Sequence, residues 1–168
     1  MKHLLLIRFS ALGDVAMLVP VVASLMKQYP DIHVTVLSKP FARSLFEGLS
    51  PNVSFMSADL KKDYQGLSGL NALYRRLAAK NFTAVADMHD VLRTKYLRFL
   101  FHLCGFHVAH IDKHRKGKQL LCSEKNKVKV QQPTSFENYA AVLAKLGYPV
   151  IPSCTPHPLP AGPEVVEG

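Results

Sequence analysis

The sequence predicts an α/β domain built on a doubly wound, mostly parallel sheet. Three observations carry this. Short runs rich in aliphatic and β-branched residues, about five of them, alternate with helix-like segments of roughly 10–15 residues. The first run, residues 4–9, is almost continuously apolar, as expected of a central strand buried on both faces. The chain has 168 residues, 48% hydrophobic and 20% charged, which suits one domain with a sizeable core and is too apolar for a disordered chain.

Each element has its own signal. After residues 4–9 comes a turn, Ser10-Ala11-Leu12-Gly13-Asp14. A helix is then expected over 15–29, with Val15, Leu18, Val19, Val22, Leu25 and Met26 at helical spacing. Pro20 lies inside it, lacks the amide hydrogen and is expected to kink it. Residues 33–37 are rich in β-branched side chains and form the second strand. A short helix over 41–49 follows Pro40, then a weaker third strand over 53–56 and a polar loop with two glycines over 59–69. The next helix, 70–79, places Leu70, Leu73, Tyr74 and Leu77 on one face.

The fourth strand is expected over 82–88. A strongly amphipathic helix follows over 92–103, with Leu92, Tyr96, Phe99, Leu100 and Leu103 inward and Arg93, Lys95 and Arg98 outward. Gly105 stops it. A short fifth strand covers 108–111, and a basic run follows, Lys113-His114-Arg115-Lys116-Gly117-Lys118, with Lys125, Lys127 and Lys129 beyond. Either Thr134 or Ser135 caps a last helix ending at Gly147, with Glu137 in capping-box spacing from Thr134. From Pro149 the composition changes, and Pro152, Pro156, Pro158, Pro160 and Pro163 make an extended, linker-like tail. The chain thus divides into a domain over 1–150 and a proline-rich linker over 151–168.

Lys and Arg total 21 against 12 Asp and Glu, a formal charge of +9. Such a balance favours an anionic partner: nucleic acid, a phosphorylated ligand or an acidic membrane surface. The three cysteines, Cys104, Cys122 and Cys154, are odd in number and show no CxxC spacing, so they read as reduced thiols of a cytosolic protein. The opening Met-Lys-His-Leu-Leu-Leu-Ile is like the start of a signal peptide. Arg8 ends that apolar run and Asp14 interrupts the next, so neither reaches the length of a secretory core or a membrane span. A cytoplasmic location is expected.

The common phosphate-binding signatures are missing. No G-x-G-x-x-G follows the first strand, where Gly13 stands alone, and Gly117-Lys118 is followed by Gln119 rather than Ser or Thr. His107 and His110 have no partner at metal spacing and read as a solvated loop pair. The first turn does offer a carboxylate, Asp14, at a helix start, where the macrodipole and free amide hydrogens favour the ionised form. It could accept a proton from a substrate hydroxyl, with Gly13 allowing close backbone approach; equally, Ser10 or Asp14 could simply cap the helix. A second group follows the fourth strand, on the same sheet edge: Asp87, His89, Asp90 and Arg93. Arg93 could bind a carboxylate or phosphate bidentately, or be a solvated charge beside an Asp90 cap. The run from Lys113 to Lys118 is either a solvated loop or a contact for a phosphorylated acceptor or anionic lipid. It lacks the aromatics of a single-strand nucleic-acid site.

Leu4-Leu5-Leu6-Ile7-Arg8-Phe9-Ser10-Ala11-Leu12-Gly13-Asp14-Val15, then Met17-Leu18-Val19-Pro20-Val21-Val22 and Lys27-Gln28-Tyr29-Pro30, resemble the amino-terminal half of glycosyltransferase family 9, the heptosyltransferases of lipopolysaccharide core assembly. The resemblance continues through residues 84–94 and the closing helix, and covers about residues 1–150. It implies a Rossmann-like domain, the amino-terminal half of a GT-B fold. It implies that Asp14 is the general base for inverting, metal-independent heptose transfer from ADP-heptose to a phosphorylated lipid A acceptor bearing Kdo. No cofactor is implied, and the donor binds a carboxy-terminal half that these 168 residues lack. Ser10, Ala11, Leu12, Gly13, His89 and Arg93 would line the acceptor pocket. Lys113, Arg115 and Lys116 would meet acceptor phosphates or carboxylates, with peripheral contact to the anionic inner membrane and no nucleic-acid partner. His89-Asp90 departs from the amide and glycine that many members carry. Two other readings fit the residues: a non-catalytic basic module that docks an anionic lipid or nucleic acid, and a sugar-nucleotide enzyme of another type.

Overall fold

The computed structural model describes residues 1–112 and 134–151. Among these, five strands form one sheet: β1 (His3–Ile7), β2 (His33–Ser38), β3 (Val53–Ser57), β4 (Ala84–Asp87) and β5 (His107–His110). Their spatial order is β3-β2-β1-β4-β5, and every neighbouring pair is parallel. This is the doubly wound, Rossmann-like arrangement that the alternation of strands and helices predicts.

The helices are α1 (Leu12–Gln28), α2 (Arg43–Phe46), α3 (Gly66–Ala78), α4 (Leu92–Leu103) and α5 (Ser135–Lys145), with a 3-10 turn at Pro40–Ala42 leading into α2. Leu4, Leu5, Leu6 and Ile7 of β1 are fully buried, because β1 sits at the centre with helices over both faces. Side chains alternate across a strand. Leu4 and Leu6 therefore join a core with α1 and α5, through Val15, Leu18, Val22, Val142 and Leu143. Leu5 and Ile7 join the opposite core with α3 and α4, through Leu70, Leu73, Leu77, Leu97 and Phe101.

Several boundaries differ from expectation for local reasons. Helix α1 starts at Leu12 rather than Val15, so most of the first turn lies inside the helix, with Pro20 in its interior. The expected helix over 41–49 is cut short, because Glu47 is extended and Gly48 sits at φ 77°. Helix α3 begins inside the expected loop: Gly66 takes φ 63°, and a Cβ on Gly69 would collide with the Tyr64 backbone. Thr134 is the cap of α5. Its hydroxyl accepts from the Glu137 amide, and the Glu137 carboxylate accepts from the Thr134 amide. His107 and His110 are the end residues of β5, not a loop pair, and both are exposed. Cys104 is a free, exposed thiol.

The largest correction concerns α4. Leu92, Phe99 and Leu103 face solvent, 84%, 58% and 70% exposed. The buried face is Thr94, Leu97 and Phe101, with Arg98 alongside. The basic run at 113–118, Cys122, Cys154 and the proline-rich tail lie outside the described residues.

Candidate active site

Helix α1 leaves β1 toward one face of the sheet, and α4 leaves β4 toward the other. Since β1 and β4 are neighbours, their carboxyl ends form the switch point where ligands bind in sheets of this kind. The two turns that begin there carry Ser10–Asp14 and His89–Arg93.

Arg8 joins the turns. It is the residue after β1, and nine-tenths of it is buried. One guanidinium nitrogen donates to the carbonyl of Met88 at 2.6 Å, and the other meets Oδ2 of Asp14 at 2.7 Å. Its guanidinium carbon lies 5.9 Å from the Tyr139 ring centre. Oδ2 of Asp14 also accepts from the Ala11 amide at 3.3 Å, so the carboxylate caps the helix from its third position. The Asp14 side chain is 41% exposed, and among the described residues its Oδ1 accepts no hydrogen bond. The ion pair and the helix cap thus both fall on Oδ2 and hold the carboxylate in place.

Tyr139 of α5 supports this turn from below. Its hydroxyl donates to the main-chain carbonyl of Asp14 at 2.9 Å, and burial pushes its pKa up to about 12. Ser10 does not cap α1. Its hydroxyl lies 3.3 Å from Nε2 of His89, bridging the two turns beside the Arg8–Met88 bond. The Ser10–Ala11 peptide bond is cis. Ala11, Leu12 and Gly13 are exposed. A Cβ on Gly13 would meet open space, so the fold itself has no need of glycine there.

The β4 turn is organised by Asp87, which is fully buried. Its Oδ1 accepts from the amides of His89 and Asp90, both at 2.9 Å. Its Oδ2 meets Arg98 at 3.3 Å. Arg98 also reaches Asp90 at 3.2 Å, and Lys95 lies 3.8 Å from the same oxygen. Asp90 takes φ 48°, the left-handed region where glycine is at ease. Asp90 therefore does not cap α4; Thr94 does, with its hydroxyl accepting from the Val91 amide at 3.0 Å.

The structure thus brings together Asp14, Ser10 and His89 of the sequence candidates. Arg93 is exposed on the first turn of α4, and it is Arg98, expected to face outward, that pairs with Asp87. Lys113, Arg115 and Lys116 lie outside the described residues. Sequence reasoning missed Arg8, Tyr139 and Arg98. Only Arg8 left a signal there, a charge at the end of an otherwise apolar strand. Among the described residues no group of three His, Cys, Asp or Glu side chains could hold a metal ion.

No family model matches the sequence. The chain is 29% identical over 96 residues to the lipopolysaccharide core heptosyltransferase OpsX of Haemophilus influenzae, covering 57% of this chain and 26% of that protein. Among solved structures, the glycosyltransferase family 9 protein of Veillonella parvula matches with a TM-score of 0.63 and 23% identity, over 88% of this chain and 42% of that one. The E. coli heptosyltransferase WaaC with ADP matches with a TM-score of 0.60 and 17% identity, over 92% and 50%. The chain spans about a quarter of the length of the curated relative and no more than half of these solved chains. It is a Rossmann-like α/β domain of the kind that makes up half of a GT-B fold, and in fold and sequence it is similar to the heptosyltransferases of glycosyltransferase family 9.

Proposed function

We propose that this chain is the acceptor half of an inverting glycosyltransferase that moves a heptose from ADP-heptose to a Kdo-lipid A acceptor. In this reading residues 1–150 bind the acceptor, residues 151–168 lead into a donor-binding half, and the whole works at the cytoplasmic face of the inner membrane. The observation that carries the reading is Asp14: a carboxylate at the switch point, anchored through one oxygen by Arg8 and the Ala11 amide, with the other oxygen open. The likeness to heptosyltransferases supports the reaction class.

Asp14 Oδ1 takes the proton from an acceptor hydroxyl. The freed oxygen attacks the anomeric carbon of the heptose, and the bond from that carbon to the phosphate oxygen breaks with its electron pair leaving on ADP. The configuration inverts because attack and departure lie on opposite sides. Asp14 then loses its proton to solvent. The Arg8 pair keeps the carboxylate in one orientation through these steps, which is the proximity contribution an enzyme supplies. Ser10 and His89 stand beside it as hydrogen-bonding partners for the acceptor sugar.

The test is Asp14→Asn in the complete two-domain protein, assayed for heptose transfer. Transfer falls by about 10²–10⁴-fold, the range for a positioned base, while the fold persists. Transfer at the parent rate removes Asp14 from the chemistry.

A further inference from the structure

The apolar stripe of α4 points away from the core. Leu92, Phe99 and Leu103 are spaced by seven and four residues, so they share one face of the helix, opposite Thr94, Leu97 and Phe101. Solvent gains nothing from this arrangement, and a helix apolar on its outer side calls for a partner.

Charge says which partner. Helices α3 and α4 carry Arg75, Arg76, Arg93, Lys95 and Arg98 and no Asp or Glu; Arg98 and Lys95 meet Asp87 and Asp90, which leaves Arg75, Arg76 and Arg93 exposed and without an ion pair among the described residues. Helices α1 and α5, on the other face of the sheet, are balanced: Asp14 with Lys27, and Glu137 with Lys145. Arg43 of α2, which packs on that same face, pairs with Glu47 at 3.6 Å, so among the described helices the uncompensated cations lie on the α3–α4 side. Nothing in the linear sequence shows this until the topology assigns each helix its face.

We propose that the outer face of α4, on the side of the domain that carries the exposed Arg75, Arg76 and Arg93, is a docking surface for an anionic lipid bilayer. Exposed apolar side chains on the cationic side of a domain suit the boundary between headgroups and acyl chains. A second copy of this chain would set like charges against one another. A nucleic acid would engage the cations but leave the apolar stripe without a partner. The inference extends the proposed function, on which its biological setting rests. Helix α4 starts at the same sheet edge as Asp14, so a bilayer against its outer face lies roughly one helix diameter, on the order of 10 Å, from the sheet that carries the candidate base. A membrane-anchored acceptor would reach that edge without leaving the bilayer.

Cosedimentation of the full chain with vesicles tests this. The protein should partition onto phosphatidylglycerol-containing vesicles and not onto pure phosphatidylcholine. Phe99→Ser with Leu103→Ser, and Arg75→Glu with Arg93→Glu, should each weaken partitioning by at least about tenfold. Lys27→Glu with Lys145→Glu makes the same charge change on the opposite face and should alter it by less than about threefold. Equal loss in both charge variants overturns the proposal, as does equal binding to neutral vesicles. So does a concentration-dependent dimer that Phe99→Ser with Leu103→Ser abolishes, or single-stranded RNA bound more tightly than the vesicles. Thermal unfolding of each variant at the parent midpoint shows that the exposed substitutions leave the fold intact. Asp14→Asn should bind vesicles as the parent does, so a failed transfer reaction leaves the docking surface standing and a failed docking assay leaves the base standing.

Discussion

Arg8 and Asp14 form a 2.7 Å ion pair that spans the turn between the central strand and the first helix. The pair is asymmetric: Arg8 is buried and Asp14 is partly open. Arg8 also holds the Met88 carbonyl of the neighbouring turn, so one guanidinium fixes both sides of the switch point.

That asymmetry predicts unequal costs. Asp14→Asn leaves the buried Arg8 charge without its carboxylate and should lower stability by about 3 kcal/mol. Arg8→Met removes that charge, leaves a carboxylate that solvent partly reaches, and should cost about 1 kcal/mol, chiefly for the Met88 carbonyl that loses its donor. Urea unfolding of the two variants checks this, and equal losses would contradict the asymmetric pair.

Gly13 offers a way to tell folding from function. It sits in the first turn of α1 with open space where a side chain would go. Gly13→Ala should therefore stabilise the domain by roughly 0.5–1 kcal/mol, through lost freedom of the unfolded chain. If transfer by the two-domain protein falls in the same variant, the glycine serves close approach of a ligand. A destabilised Gly13→Ala variant would show that the turn is tighter than its geometry states.

Asp87 is a buried carboxylate whose charge is met by Arg98 and two main-chain amides. Arg98→Leu should cost about 3 kcal/mol, since it strands a buried charge. The exposed Arg93→Leu should cost less than about 0.5 kcal/mol. Thermal or urea unfolding of this pair of variants separates the two arginines of one helix.

At the opposite edge of the sheet, His3 stacks edge-on to His33 at 4.8 Å and bonds the Thr35 hydroxyl at 2.8 Å. Burial first, and the neighbouring His33 second, hold its pKa below the ordinary histidine value. A lowered histidine pKa means that the unfolded chain binds the proton more readily. The stabilisation is thus complete above the ordinary value near 6.5 and is lost as pH falls through that value toward the folded one. His3→Gln should flatten the pH dependence of stability on the acid side of neutrality. An unchanged slope would assign that dependence to other groups.

Much of the site was legible in the residue string. Asp14 and Gly13 stand in a small-residue turn after a strand apolar enough to be central, and that pattern alone puts a carboxylate at the sheet edge. Arg8 was visible only as an interruption, because its partners Met88 and Tyr139 lie 80 and about 130 residues away in sequence. The face of α4 was misread for a definite reason. Leu92, Phe99 and Leu103 repeat with helical spacing, and so do Thr94, Leu97 and Phe101, so periodicity identifies the helix without saying which way it turns. The buried carboxylate of Asp87 requires a cation, and Arg98 supplies it only when α4 presents its Leu97–Phe101 side to the sheet.

What the sequence by itself determined is local: apolar runs of strand length, helices set by periodicity and by the Thr134 cap, and a carboxylate placed where the first strand ends. These follow from interactions between residues a few positions apart. The order of the strands, the Arg8 bridge across two turns, the orientation of α4 and the gathering of cations onto one side belong to the tertiary structure alone. Each depends on a buried charge or an apolar face finding a partner far along the chain, and that pairing exists only once the sheet is assembled.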